Sequence, residues 1–401
     1  MRTTWNFFSA GQLTFGTAAA SQLGKLTGRL GVGRVLVVSD QVLGELGLLA
    51  RVCEPLVAAG MTVEVFDEGE AEPTLEVVAK AVELARRFQP DAVLGVGGGS
   101  NMDLAKMTAT LYTHGGKPED YFSFDNIPGP VLPIVCVPTT AGTGSEVSSA
   151  AVFTDVANQI KVSTLSQYIR PNLAVVDPEL TYSCPAKVTA DSGIDALTHA
   201  IEAYTAIDYS ALDVVPGDPV AYEGAHPLGD VLAERAIALV GRFLVRSVAD
   251  PEDHEARDGM ALAATLAGMA FSNCGVALVH ALEYPLGGAL HCSHGAGNGL
   301  LLPYVMEYNL TERIDKLARV AELLGADCAG CTPEQSAREA IEMVRRLRLE
   351  IGVPDRIREI GGTLEQLPQF ASKSFEIKRL MTINPRTPSE ADLLEILQTA
   401  L

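Results

Sequence analysis

The stretch Asp91-Ala-Val-Leu-Gly-Val-Gly-Gly-Gly-Ser100-Asn-Met-Asp103 decides the fold. Residues 91–96 read as a buried strand, the glycines as a tight turn, and about Asn101 to Leu111 as a helix. Working outward, Arg34-Val-Leu-Val-Val-Ser39, Thr62-Val-Glu-Val-Phe66 and Pro133-Ile-Val-Cys-Val137 are further apolar runs. Helical patterns over 41–59 and 74–88 separate the earlier ones. Strands that read as continuous apolar runs, spaced by helices, imply βαβ units and a parallel sheet covered on both faces. After Asp177-Pro178 the strand-like runs stop, and 189–206, 229–247, 254–273, 311–324 and 333–350 carry helical spacing. The expected fold is an α/β domain over 1–185, with a Rossmann-like parallel sheet, followed by an all-α helical domain over 186–401. Thr189-Ala-Asp191 is the expected cap of its first helix. Residues 207–228, rich in Asp, Pro and Gly, read as a loop.

The 401 residues are 47% hydrophobic and 20% charged, enough for a large core without disulfides. Thirty Lys and Arg against fifty Asp and Glu give a formal charge of −20, which repels phosphate backbones and anionic membrane surfaces. Nucleic acid and membrane are therefore not expected partners. Seven scattered cysteines make no disulfide framework and fit a reducing compartment. The pair Cys328 and Cys331 lacks a second pair to complete a zinc site. The first residues form no signal-peptide core, and no run approaches the ~18 apolar residues that span a bilayer. A cytoplasmic protein is expected.

Three segments carry chemistry. The glycine loop at 95–100 lets a diphosphate approach the backbone and the first N–H groups of a helix, although a plain strand-to-helix turn also uses glycine. Pro138-Thr-Thr-Ala-Gly-Thr-Gly-Ser-Glu146 follows the next buried strand and offers hydroxyls and amides at a strand's carboxyl end, where parallel sheets bind ligands. An ordinary Ser/Thr-rich turn is the alternative. Asp40, ending the strand 34–39, suits a ribose diol and opposes a 2′-phosphate, favouring NAD over NADP. In the helical half, Asp195 and His199 are four apart and project from one helix face. His280, His291 and His294 add three imidazoles within fifteen residues, out of seven histidines in the chain. Asp195, His199, His280 and His294 together form an oxygen/nitrogen donor set suited to Fe(II), Zn(II) or Mn(II). Each alone also reads as a helix-face or core residue.

These residues resemble the iron-containing, group III alcohol dehydrogenases. The likeness rests on Gly-Gly-Gly-Ser-x-x-Asp with Lys106 following, Pro-Thr-Thr-Ala-Gly-Thr-Gly-Ser-Glu, and Asp-Ala-x-x-His-Ala-x-Glu-x-Tyr. It continues through Phe271-Ser-Asn, the histidines 280 and 294, Gly299-Leu-Leu-Leu-Pro303 and Asn384-Pro-Arg386, in the family's order over nearly the whole chain. The resemblance implies a dehydroquinate synthase-like architecture with the metal in the cleft between two domains. It implies Asp195, His199, His280 and His294 as ligands, Fe(II) or else Zn(II) as the metal, and NAD as cofactor. It carries cofactor contacts onto Asp40, Gly97, Gly98, Gly99, Ser100, Asp103, Thr139, Thr140, Thr143 and Lys161, the last on the nicotinamide-side ribose. Without that pattern Lys161 reads as a solvated strand lysine. The implied reaction interconverts a small primary alcohol or diol and its aldehyde by hydride transfer to or from C4 of the nicotinamide. A homodimer or larger homo-oligomer is expected.

Two positions depart from the family pattern. Tyr284 stands where many members have a further histidine used in proton relay, which leaves Tyr284, His291 or water as the carrier. The 207–228 loop is longer than the family's usual connection. An oxo-acid reductase or hydroxyacid–oxoacid transhydrogenase on the same scaffold is the rival reading within enzymes, but acid substrates call for an arginine or lysine clamp. The metal motifs contain no arginine. A silent nucleotide-binding scaffold is the rival outside enzymes, opposed by the intact ligand set.

Overall fold

The computed structural model describes residues 2–156, 158, 160–215 and 218–401. They form two compact units: Ser9–Cys184, and Pro185–Leu401 joined by the chain's first residues up to Phe8.

In the first unit the strands are β1 (Gln12–Phe15), β2 (Arg34–Val38), β3 (Thr62–Phe66), β4 (Ala92–Gly97), β5 (Ser123–Phe124), β6 (Ile134–Pro138), β7 (Ala150–Asp155), β8 (Ile160–Leu165) and β9 (Leu173–Val176). Six of them make one sheet in the order β1-β9-β6-β4-β2-β3, parallel throughout. Alternate side chains explain the unbroken apolar runs. Val35, Val37, Leu94, Val96, Val135 and Val137 enter one core with Val52 and Leu56. Leu36, Val38, Val93, Ile134 and Cys136 enter the other with Val78, Val82 and Met102. A strand buried on both faces has no polar alternation to show.

The chain runs from β2 outward to β3, then returns to place β4 on the other side of β2. The strand order thus reverses between β2 and β4, and their carboxyl ends open the crevice where such sheets take ligands. Asn101 Nδ2 donates to Asp40 Oδ2 at 2.7 Å across that point.

Several local expectations change. The helix expected over 41–59 is two, Gln41–Glu45 and Leu48–Ala58, because Gly47 takes a left-handed φ of 73° between them. The helix after the glycine loop is Gly99–His114, longer at both ends than read from its apolar residues. β1, β5, β7 and β9 have no counterpart among the strands that the sequence predicts. β5, β8 and β7 form a separate three-stranded sheet in which β7 and β8 pair antiparallel.

The second unit is helical. Its first helix, Ala186–Thr205, starts after Pro185 rather than at a Thr189–Asp191 cap. Pro227–Ala249, His254–Cys274, Leu278–Leu290, His294–Asn309, Ile314–Leu324 and Pro333–Glu350 follow, with shorter helices to Ala400. Within the expected 207–228 loop, Tyr209–Ala211 makes a 3-10 turn, Asp208 bridges Ala225, and Pro227 already begins a helix. Pro216 and Gly217 lie outside the described residues. The segment is anchored by the N-terminal residues: Arg2 pairs with Glu223, Asn6 Nδ2 donates to Glu223 Oε1 at 2.9 Å, and Trp5 stacks on His226 with centroids 4.2 Å apart. Among the described residues no single helix is long and apolar enough to cross a membrane.

Candidate active site

The nucleotide loops belong to the first unit. Gly97 has a φ of 142°, and a Cβ there would lie 2.2 Å from Asn101 Nδ2, so only glycine turns β4 into the helix Gly99–His114. Gly98 caps that helix in extended geometry, and Gly98 and Gly99 face Thr140 and Thr143 of the threonine loop. Thr139 N–H donates to Gly97 O at 2.9 Å, tying the loops together. Half-buried first-turn residues and threonine hydroxyls thus gather at the sheet's switch point, an arrangement suited to a diphosphate.

The other expected cofactor residues divide. Asp40 accepts from Leu43 N–H and Asn101 Nδ2 and remains half-buried at the end of β2. Ser100 Oγ accepts from Glu72 N–H at 3.3 Å. Asp103 is turned inward: it accepts from Ser145 Oγ at 2.6 Å and Val152 N–H at 2.8 Å. Burial raises its pKa, against Lys106 and these hydrogen bonds, which lower it. Lys161 is not a solvated strand lysine; it is 3% exposed on β8, with Nζ 2.9 Å from Glu72 Oε2.

The second unit gathers the expected ligands. A Cβ on Gly295 would lie 2.0 Å from Asp191 O, and one on Gly299 would lie 2.7 Å from Ile194. These two glycines, one turn apart, let the helix His294–Asn309 press against Ala186–Thr205 and bring His294 to Asp195. Asp195, His280 and His294 each offer a ligand atom, all within 4.8 Å of one another. His199 adjoins them, with Nε2 3.8 Å from Asp195 Oδ1 and its ring stacked between Phe271 at 4.2 Å and His280 at 4.9 Å.

Sequence reading missed what holds these ligands. Glu202 Oε2 lies 2.6 Å from His280 Nδ1, Glu283 Oε2 lies 2.5 Å from His294 Nδ1, and Asn298 Nδ2 donates to Asp195 Oδ1 at 2.8 Å. The signal was present as i+3 and i+4 spacing from His199, His280 and His294. A carboxylate facing Nδ1 places the ring proton there, which directs the Nε2 lone pair into the site.

These residues fit a divalent cation. Asn298 Nδ2, with two hydrogens, lies within reach of three acceptors: Asp195 Oδ1, His280 Nε2 at 3.1 Å and His294 Nε2 at 3.2 Å. Donor atoms that converge on one small volume, deprotonated and buried, are what such an ion requires. Burial pushes the Asp195 carboxyl up, but His199, His294, His280 and Asn298 outweigh it and hold it below the usual range. The two relay candidates part company. Tyr284 is buried with its ring 6.1 Å from that of His294. His291 is exposed at the left-handed end of Leu278–Leu290, and no hydrogen bond, ion pair or ring contact joins it to the described ligands.

Residues 10–178 match the sequence model described as iron-containing alcohol dehydrogenase, and 220–401 match that of the Fe-containing alcohol dehydrogenase family, C-terminal. The chain belongs to the iron-containing alcohol dehydrogenase family. It is an oxidoreductase. The chain is 35% identical to the NAD-dependent methanol dehydrogenase of Bacillus methanolicus, covering 99% of this chain and 100% of that protein. It is 31% identical to the mitochondrial hydroxyacid-oxoacid transhydrogenase of Xenopus tropicalis, covering 97% and 89%. The crystal structure of a 1,3-propanediol oxidoreductase superposes with a TM-score of 0.92 at 34% identity, covering all of both chains.

Proposed function

We propose that this protein interconverts a small primary alcohol or diol and its aldehyde with NAD(H), using Fe(II), or else Zn(II), held by Asp195, His199, His280 and His294. The observation that carries the reading is the convergence of Asp195, His280 and His294 from three helices, with both imidazoles turned by buried carboxylates. When bound, the cation acts as a Lewis acid on the substrate oxygen and lowers an alcohol's pKa. Glu202 and Glu283 orient His280 and His294, and Phe271 covers the His199 ring. Gly97, Gly98, Gly99, Ser100, Thr139, Thr140 and Thr143 cradle the diphosphate. Asp40 and Lys161 address the two riboses, and Asp40 disfavours a further phosphate. Asp103 acts from inside, fixing the threonine loop. Tyr284 moves the alcohol proton at its hydroxyl, supported by its place beside His294, while His291 stands at the solvent side. Segments 190–204 and 279–295 contain no lysine or arginine, which favours a neutral substrate over an acid.

The same reading makes the protein a cytoplasmic homodimer or larger homo-oligomer with no nucleic-acid or membrane partner. Its seven cysteines, none in a disulfide, and its charge of −20 support it. We assign dinucleotide binding, expected over 1–185, to the unit Ser9–Cys184, and metal binding, expected over 186–401, to the unit Pro185–Leu401 together with the first residues up to Phe8.

The test is NADH formation by protein purified without oxygen and reloaded with Fe(II) or Zn(II). Short primary alcohols and diols are compared with a hydroxy-acid and oxo-acid pair, with a chelator-treated control. Metal-dependent turnover of the neutral alcohols is expected. Hydride exchange confined to the acid pair would replace this reading with the transhydrogenase one.

A further inference from the structure

Each of the three helices that brings a ligand into the cluster also brings the residue that fixes the ligand of the next helix. On Ala186–Thr205 the ligand is Asp195; seven residues on, Glu202 accepts hydrogen bonds from His280 Nδ1 at 2.6 Å and from Val279 N–H at 2.7 Å. On Leu278–Leu290 the ligand is His280; three residues on, Glu283 accepts from His294 Nδ1 at 2.5 Å. On His294–Asn309 the ligand is His294; four residues on, Asn298 donates to Asp195 Oδ1 at 2.8 Å, back on the first helix. Glu202 is 4% exposed and Glu283 and Asn298 are 0% exposed.

We propose that Glu202, Glu283 and Asn298 are positioning residues that act as one closed ring, so that opening it at any member loosens the ligands of all three helices. The proposal rests on the metal reading above. Physical chemistry favours the ring over three separate struts. A buried carboxylate bonded to an imidazole fixes both its tautomer and its rotation, and a ligand held at only one end regains rotamer freedom that the cation must then remove. In a low-dielectric interior linked polar groups also reinforce one another, so their losses do not add. Glu202 does one thing more: by taking Val279 N–H it secures the first turn of the helix that carries His280.

The test uses the full chain and two probes, Zn(II) affinity by chelator competition and the visible absorption of bound Co(II), whose bands report ligand geometry. Glu202→Leu and Glu283→Leu are each expected to weaken Zn(II) about 10–100-fold and to shift the Co(II) bands even at saturation. Glu202→Gln and Glu283→Gln, which keep an acceptor oxygen, recover most of both. The double Leu variant is expected to lose far less than the product of the two single losses, because the first substitution has already opened the ring. Asn298→Ala opens it by removing one amide donor, with no bulky apolar side chain set against an imidazole, and carries the test if the Leu variants do not fold; circular dichroism and NAD+ binding verify folding. Single variants that bind Zn(II) as wild type does, or single losses that multiply in the double variant, overturn the ring alone. Wild-type protein that takes up no Zn(II) overturns the metal reading and the ring with it.

Discussion

Gly99 and Thr143 face each other so closely that a Cβ on Gly99 would lie 2.9 Å from Thr143 Cγ2. The first helical turn after β4 reaches the threonine loop because no side chain intervenes. Gly99→Ala is expected to spread the two loops and weaken NAD+ binding about tenfold, the lower range of an overpacking penalty, with metal content unchanged. Calorimetric titration with NAD+ beside metal analysis checks this, and wild-type affinity in the variant contradicts it.

Lys106 braces the same loop from beneath. Its buried ammonium, with three hydrogens, lies within hydrogen-bond reach of Ser145 O at 2.8 Å, Ser145 Oγ at 2.7 Å, Ala150 O at 2.7 Å and Ser148 Oγ at 3.3 Å, with Asp103 Oδ1 at 3.6 Å. Lys106→Met leaves the buried Asp103 carboxylate without its cation, a loss on the order of 3–5 kcal/mol. A lower melting temperature and weaker NAD+ binding are expected together. A variant that melts as wild type does would show that the network bears no such weight.

The metal ligands give a graded expectation. Asp195→Ala removes one of the three converging donors and should abolish both metal retention and metal-dependent turnover. His199→Ala removes the neighbour 3.8 Å from Asp195 and is expected to lower metal occupancy while leaving the other three donors in place. Metal analysis after dialysis, paired with NADH formation, reads both. Wild-type turnover in Asp195→Ala sinks the site.

What the sequence made legible was what depends on local pattern. The βα unit at 91–111 announced itself through apolar residues and glycines, and the four ligands stood out because histidine is scarce and Asp195 and His199 share a helix face. What it hid depended on partners far along the chain. β1 is a short edge strand recognisable only by its pairing with β9. Gly47 divides a helix whose apolar spacing runs on either side of it. Lys161 has the composition of a surface residue and is buried by its neighbours. Glu202, Glu283 and Asn298 sit at helical offsets from the ligands, but their direction toward the next helix is a tertiary fact.

Acid should act on His226. Burial lowers its pKa below the ordinary 6.5, Glu223 opposes that, and Arg2 and Lys316 reinforce it. Its Nδ1 accepts Gly229 N–H at 3.1 Å to cap the helix Pro227–Ala249, a role a protonated ring cannot fill. The folded protein keeps the ring neutral at pH values where the unfolded chain already binds a proton. The stabilisation is therefore complete above the unfolded pKa and is lost as pH falls through the lower folded value. Trp5, the sole tryptophan, stacks on this ring and reports its state. Between about pH 7 and pH 5, wild-type stability and tryptophan emission are expected to change, and His226→Asn, a cap that does not titrate, to flatten both profiles. Parallel profiles would contradict the assignment.

The bond between Arg2 and Glu223 spans 221 positions of sequence. At roughly 5–20 residues per second on the ribosome, the opening residues wait about ten to forty seconds for the segment they clasp. Ser9–Cys184 emerges in that interval with its own sheet and both of its cores already translated. The chain is thus a nested object, one domain spliced into another, and its birth order lets the inner domain mature while nearly all of the outer one, Pro185–Leu401, is still to come.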